Sequence, residues 1–163
     1  MTAAADRRFM AIALRLGLRG MGQVWPNPAV GCVIVRDGVI VGRGATQRGR
    51  RPHAERVALD QASDAARSAT AYVTLEPCAH TGKTPPCADA LIEAGVARVV
   101  VATGDPDPRV AGQGLARLRD AGIKVELGLM QHQAERHHAG FLLRVTQGRP
   151  FVTLKLATSL DGR

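Results

Sequence analysis

Two stretches decide how this chain is read. They are Pro52-His53-Ala54-Glu55 and Glu76-Pro77-Cys78-Ala79-His80-Thr81-Gly82-Lys83-Thr84-Pro85-Pro86-Cys87. Together they carry one imidazole, two thiols and a carboxylate two residues after the imidazole. An imidazole and two thiolates, here His53, Cys78 and Cys87, suit three corners of a tetrahedral Zn²⁺. A structural zinc needs a fourth protein ligand, and no third cysteine lies nearby. The fourth corner is therefore expected to be open to water. Glu55 would stand beside that water as a proton carrier.

The flanking patterns place both stretches at the starts of helices. Residues 53–67 read as a helix with Val57, Ala58, Ala62 and Ala65 toward the core. Pro52 suits its start, and His53 and Glu55 fall in its first turn, where exposed amides favour negative charge. Residues 71–75 read as a strand with Glu76-Pro77-Cys78 at its C-terminal end. Pro85-Pro86 opens a second helix, with Cys87 in its first turn and Gly95 at its end. Two helix N-termini would thus converge on one metal, in the crevice where open α/β sheets bind ligands.

Upstream, residues 5–19 form one apolar helical face through Phe9, Ile12, Ala13 and Leu16. Residues 29–36 and 39–45 are β-branched runs around Asp37-Gly38, a strong hairpin signal. Downstream come a strand at 98–102, a helix at 112–121, a strand at 123–127, a helix at 131–146 and a strand at 151–157. A hairpin followed by alternating helices and strands predicts an α/β fold. The architecture expected is three layers, α/β/α, around a mixed central sheet whose later strands are parallel.

Composition narrows the function. The chain has 163 residues and a net charge of +8. That charge would attract nucleic acid or a phosphorylated small molecule. Aromatic residues make up only 3 % of the chain, few for the stacking platforms of single-strand binders, so a nucleic-acid partner is disfavoured. Three cysteines are too few, and odd in number, for a disulfide scaffold. Cys32, in an apolar run, reads as a small buried hydrophobe. There is no apolar run long enough for a membrane span, and the N-terminus lacks the order of a signal peptide. A cytoplasmic location is expected; a homo-oligomer is left open.

The histidine, the glutamate and the two cysteines form the signature of zinc nucleobase deaminases, except that eight residues rather than two separate the cysteines. With that spacing the chain resembles the deaminase domain of the bifunctional riboflavin-biosynthesis deaminase/reductase family, of cytidine-deaminase-like fold. The matching motifs are the helix from Asp6 to Arg19, Asn27-Pro28-Ala29-Val30-Gly31, Pro52-His53-Ala54-Glu55, the loop from Glu76 to Cys87, and Gly104-Asp105-Pro106-Asp107-Pro108. The resemblance implies zinc-dependent hydrolytic deamination of 2,5-diamino-6-(5-phosphoribosylamino)pyrimidin-4-one. It implies Zn²⁺ on His53, Cys78 and Cys87, with Glu55 catalytic. It also implies substrate contacts from Asn27, His80, Lys83, Asp105 and Asp107. Two positions depart from the family pattern: Asp107 stands where the family usually has Asn, and Thr46 where it usually has His. Arg48, Arg50 or Arg51 are candidates to replace that His near a phosphate. His132, His137 and His138 lie far from any motif and read as surface residues.

The resemblance further divides the chain into a deaminase domain at 1–148 and, at 149–163, a linker with the first strand of a reductase domain. NADP would be a cofactor only of that second domain. Without its sheet, the strand at 151–157 is expected to be disordered or docked elsewhere. Two other readings compete. One is deamination of another nucleobase, a nucleoside or tRNA; the other is a catalytically inactive zinc-stabilised binding module.

Overall fold

Asp37 and Gly38 both take positive φ, 52° and 78°, the backbone that a two-residue hairpin turn requires. They join β1 (Gly31–Arg36) to β2 (Val39–Ala45) in antiparallel register, with an irregularity between Ile34 and Val35. The computed structural model describes residues 2–80, 85–108 and 110–162. Among these, β1 also pairs antiparallel with β3 (Thr70–Val73). From β3 onward the pairing is parallel, to β4 (Arg98–Val101) and then β5 (Lys124–Leu127). The sheet order is β2-β1-β3-β4-β5. The expected mixed sheet with parallel later strands is therefore found.

Strand alternation builds the two outer layers. Cys32, Ile34, Ala71, Val73, Val99 and Val101 face one core, and Val33, Val35, Tyr72 and Val100 face the other. The first face is covered by α2 (Ala54–Ala62), α3 (Cys87–Glu93) and α4 (Gln113–Asp120). The second is covered by α1 (Ala3–Leu18) and α5 (Gln131–His137). Cys32 is fully buried, as its apolar run implied. Arg98 grips the Asp6 carboxylate with two 2.9 Å hydrogen bonds, and Tyr72 donates to the same group, so α1 is fastened to β3 and β4.

Two glycines set how closely helices approach the sheet. A Cβ on Gly31 would lie 1.9 Å from the Ala13 carbonyl oxygen of α1, and one on Gly44 would lie 1.9 Å from that of Ala54 in α2. Gly44 thus allows the first residue of α2 to sit against β2. The residue before it is His53.

Five expectations change. His53 is the N-cap of α2 rather than part of its first turn, with extended backbone at φ −70°, ψ 160°. α2 stops at Ala62 and continues as a single 3₁₀ turn, Ser63–Ala66, because Ser63 leaves helical geometry at φ 48°. The helix expected at 131–146 is two helices, α5 and α6 (Ala139–Gln147), broken at His138. His138 is buried and its Nε2 lies 3.2 Å from Thr74 Oγ1; His137 Nε2 lies 2.6 Å from the Ala29 carbonyl. These two are packing residues rather than surface ones, whereas His132 is exposed. Finally, residues 151–157 form no strand, and Phe151, Val152, Leu154 and Leu156 are exposed.

Candidate metal centre and active site

His53, Cys78 and Cys87 come together in one place. As N-cap of α2, His53 makes no side-chain capping bond, so its ring is free to turn toward α3. Its Nδ1 lies 3.3 Å from Cys87 Sγ and 3.7 Å from Cys78 Sγ. Cys78 follows β3, and Cys87 opens α3. The Cys87 backbone N–H donates to Cys78 Sγ at 3.3 Å, so the start of α3 stabilises charge on that sulfur.

The donors fit a zinc ion. Zn–N bonds near 2.0 Å and Zn–S bonds near 2.3 Å give a tetrahedral edge of about 3.5 Å between the two atoms. The two observed N···S separations straddle that length, and all three ligand atoms lie within 4.8 Å of one another. Thiolates with an imidazole are also the soft, nitrogen-plus-sulfur set that zinc prefers. Its hydrogen bond with Cys87 draws the Cys78 thiol down to about 4, and the same bond pushes Cys87 up.

Glu55 sits one residue into α2 and is buried, within hydrogen-bond reach of the Cys87 thiol. Burial first, and then charge on Cys78, pushes its carboxyl up to about 7. Near it lies Cys32, fully buried in the apolar core, where burial pushes its thiol well up.

A second carboxylate holds the site together. Glu76 Oε1 accepts from the N–H groups of Gly114 at 3.0 Å and Leu115 at 3.3 Å. Its Oε2 accepts from Gly112 at 3.1 Å and Asp105 at 3.3 Å. A buried side chain from the end of β3 thus caps α4 from a distance and ties down the 104–108 loop. Gly114 permits this closeness, since a Cβ there would lie 1.9 Å from the Pro77 carbonyl oxygen. The sequence alone gives Glu76 no role, because its partners lie 29 to 39 residues further on.

A cavity of about 310 Å³ opens above the donors. His53, Glu55, Glu76, Cys78 and His80 line it together with Asn27, Thr46, Arg51, Asp105 and Asp107. Of the expected substrate contacts, Asn27, His80, Asp105 and Asp107 are therefore brought together with the metal donors. Lys83 lies outside the described residues. Asp105 Oδ1 accepts from the Asp107 N–H at 2.9 Å, which shapes the loop that carries both acids. Thr46 is buried; its hydroxyl accepts from Val30 N–H at 3.0 Å and donates to the Pro28 carbonyl at 3.1 Å. In this chain it fastens the segment behind Asn27. Phe141 and Arg144, both on α6, also line the cavity, and neither was expected from the sequence. No local motif marks them, since α6 reaches the site only through the break at His138.

A three-layer α/β/α sheet with a His–Cys–Cys centre and a buried glutamate beside it defines a zinc-dependent deaminase. Residues 3–103 match the family described as the cytidine and deoxycytidylate deaminase zinc-binding region, and the chain belongs to that family. Over 158 residues it is 59 % identical to riboflavin biosynthesis protein RibD of Escherichia coli, covering 97 % of this chain and 43 % of that one. It superimposes on Acinetobacter baumannii RibD with a TM-score of 0.93 at 51 % identity, over 99 % of this chain and 46 % of that one. A Thermotoga maritima diaminohydroxyphosphoribosylaminopyrimidine deaminase/5-amino-6-(5-phosphoribosylamino)uracil reductase gives a TM-score of 0.93 at 44 % identity, over 98 % and 46 %. The chain spans less than half the length of each of these relatives. Among its described residues, no helix is long and apolar enough to cross a membrane.

Proposed function

We propose that the chain catalyses hydrolytic deamination of 2,5-diamino-6-(5-phosphoribosylamino)pyrimidin-4-one, a step of riboflavin biosynthesis. The observation that carries this reading is Glu55, buried beside a His53–Cys78–Cys87 centre and lining a cavity sized for one small molecule. The Thermotoga maritima relative's name pairs this deamination with a reduction, and the chain matches 46 % of that protein. We take the deaminase unit to be residues 1–148, ending just after α6 at a glycine with φ 66°. Residues 149–163 are assigned to the opening of a reductase domain. NADP chemistry belongs to that domain and not to this site.

His53, Cys78 and Cys87 would hold the zinc. When bound, the ion lowers the pKa of a coordinated water from 15.7 to about 7. Glu55 takes the proton of the attacking water and delivers it to the ring nitrogen next to the reacting carbon. It then carries a proton to the departing amine. The C–N bond breaks, a carbonyl forms and ammonia leaves, so one water is consumed for each ammonia released. Asn27 and His80 hold the pyrimidine, while Asp105 and Asp107 on their tied-down loop meet the ribose. Asp107 supplies only acceptors where an amide would also donate.

The test is ammonia release by the zinc-loaded chain from this nucleotide, run beside cytidine, guanine and tRNA. Turnover of the diaminopyrimidine nucleotide is the expected result. Turnover confined to one of the other three transfers the site to that substrate, and inactivity on all four favours a zinc-stabilised binding module.

A further inference from the structure

A phosphorylated substrate needs a permanent cation where its phosphate lies, because a buried or half-buried dianion without one loses its hydration uncompensated. Among the described residues lining the cavity, the arginines are Arg51 and Arg144, and there is no lysine. Arg51 stands two residues before a metal ligand, close enough for its charge to act on His53. It therefore belongs to the metal end of the cavity. Arg144 comes from α6, outside the 3–103 region that matches the deaminase family.

Arg144 is built in rather than loose. Its Nη2 donates to the Pro26 carbonyl at 2.9 Å, and its guanidinium lies 5.6 Å from the centroid of the Phe141 ring. Both Pro26 and Phe141 line the same cavity. The side chain is exposed, which suits a position at the solvent end rather than beside the reacting carbon. One N–H is used on Pro26, and a guanidinium carries five, so a face remains to meet phosphate oxygens in a bidentate fork.

We propose that Arg144 is a specificity-determining residue that binds the phosphate of the substrate, an inference that rests on the deaminase reading above. The zinc-binding region then supplies the chemistry common to its family, and α6 adds selection for a phosphorylated ligand. Arg144 also touches Pro26, next to Asn27, so a merely structural role would be to hold that loop. The test must separate the two.

Arg144→Ala and Arg144→Lys are compared with the unaltered chain on the diaminopyrimidine nucleotide and on its dephosphorylated nucleoside. Binding of ribose 5-phosphate is measured by calorimetry on the same three proteins. Losing a charge-assisted bidentate contact should raise KM for the nucleotide roughly 10- to 100-fold with kcat nearly unchanged. The nucleoside's KM should stay where it is, and Arg144→Lys should recover part of the loss. Ribose 5-phosphate should bind the unaltered chain and bind Arg144→Ala at least about tenfold more weakly. Equal losses on nucleotide and nucleoside, no loss on either, or ribose 5-phosphate binding indifferent to Arg144 would each overturn the proposal. A chain that fails to turn over the nucleotide removes the functional reading, and the ribose 5-phosphate measurement still decides for or against Arg144.

Discussion

At the residue scale the site depends on two carboxylates with opposite duties. Glu55, the proposed proton carrier, is buried beside the thiols. Glu76 moves nothing; it accepts from four backbone N–H groups and so fixes the strand end that carries Cys78 against α4 and the 104–108 loop. Glu76→Gln replaces one oxygen by an NH₂ that can only donate. Two backbone donors then lose their acceptor, at about 1–3 kcal/mol for each unsatisfied buried group. We expect Glu76→Gln to lose about 2–4 kcal/mol, seen as a melting temperature lower by roughly 5–12 °C. A melting temperature within a degree or two of the unaltered chain would show that these hydrogen bonds are dispensable.

At the scale of elements, the zinc donors are placed by how closely helices approach strands. Gly44→Ala drives a methyl into the Ala54 carbonyl, 1.9 Å away, at the first residue of α2. The helix start must shift, and His53 with it. The expected outcome is weaker zinc binding together with a lower melting temperature, measured by competition with a chelator and by calorimetry. An unchanged zinc affinity would mean that His53 is held by something other than this contact. The joint between α5 and α6 makes a pH prediction. Burial pushes the His138 imidazole down to about 3, whereas an unfolded histidine titrates near 6.5. Between these values the unfolded chain binds a proton that the fold does not. Stability therefore falls as pH drops below about 6.5, by about 1.4 kcal/mol per pH unit from this group. His138→Gln keeps a partner for Thr74 and cannot titrate. Urea unfolding from pH 6.5 to 4.5 should show a shallower loss in that variant than in the unaltered chain, and parallel slopes would refute the assignment.

These elements also show what a sequence can and cannot reveal. The Asp37-Gly38 hairpin was legible because its turn needs two positive φ angles that few residue pairs supply. The metal donors were legible because ligand chemistry leaves few choices of residue. The break at His138 was not, since neither glycine nor proline stands there; the helix yields to a buried contact with Thr74, 64 positions away. The fastening roles of Glu76 and Thr46 were not legible for the same reason: their partners are distant in sequence or are backbone groups of other loops. His53 as N-cap differs from the expected first-turn position by one residue, yet that residue matters, because a cap leaves the ring outside the helix and turned toward α3.

At the scale of the whole molecule, a family core and its additions divide the work. Residues 3–103 contain the sheet through β4, the three metal donors and Glu55. The segments C-terminal to this core contribute the 104–108 loop, the α4 start that Glu76 grips, and α6 with Phe141 and Arg144 at the cavity. On the proposed reading, the shared core carries the deamination chemistry and the pyrimidine contacts of Asn27 and His80, and the later segments add contacts toward the phosphoribosyl end. The central claim is that Glu55, over zinc on His53, Cys78 and Cys87, moves the protons of a hydrolytic deamination. The most direct measurement is ammonia release from the diaminopyrimidine nucleotide by the zinc-loaded chain and by Glu55→Gln, with bound zinc quantified in both. The unaltered chain should release one ammonia per nucleotide, while Glu55→Gln should keep its zinc and lose at least about a hundredfold in rate. A zinc-loaded Glu55→Gln chain that still turns over at the unaltered rate would contradict the account.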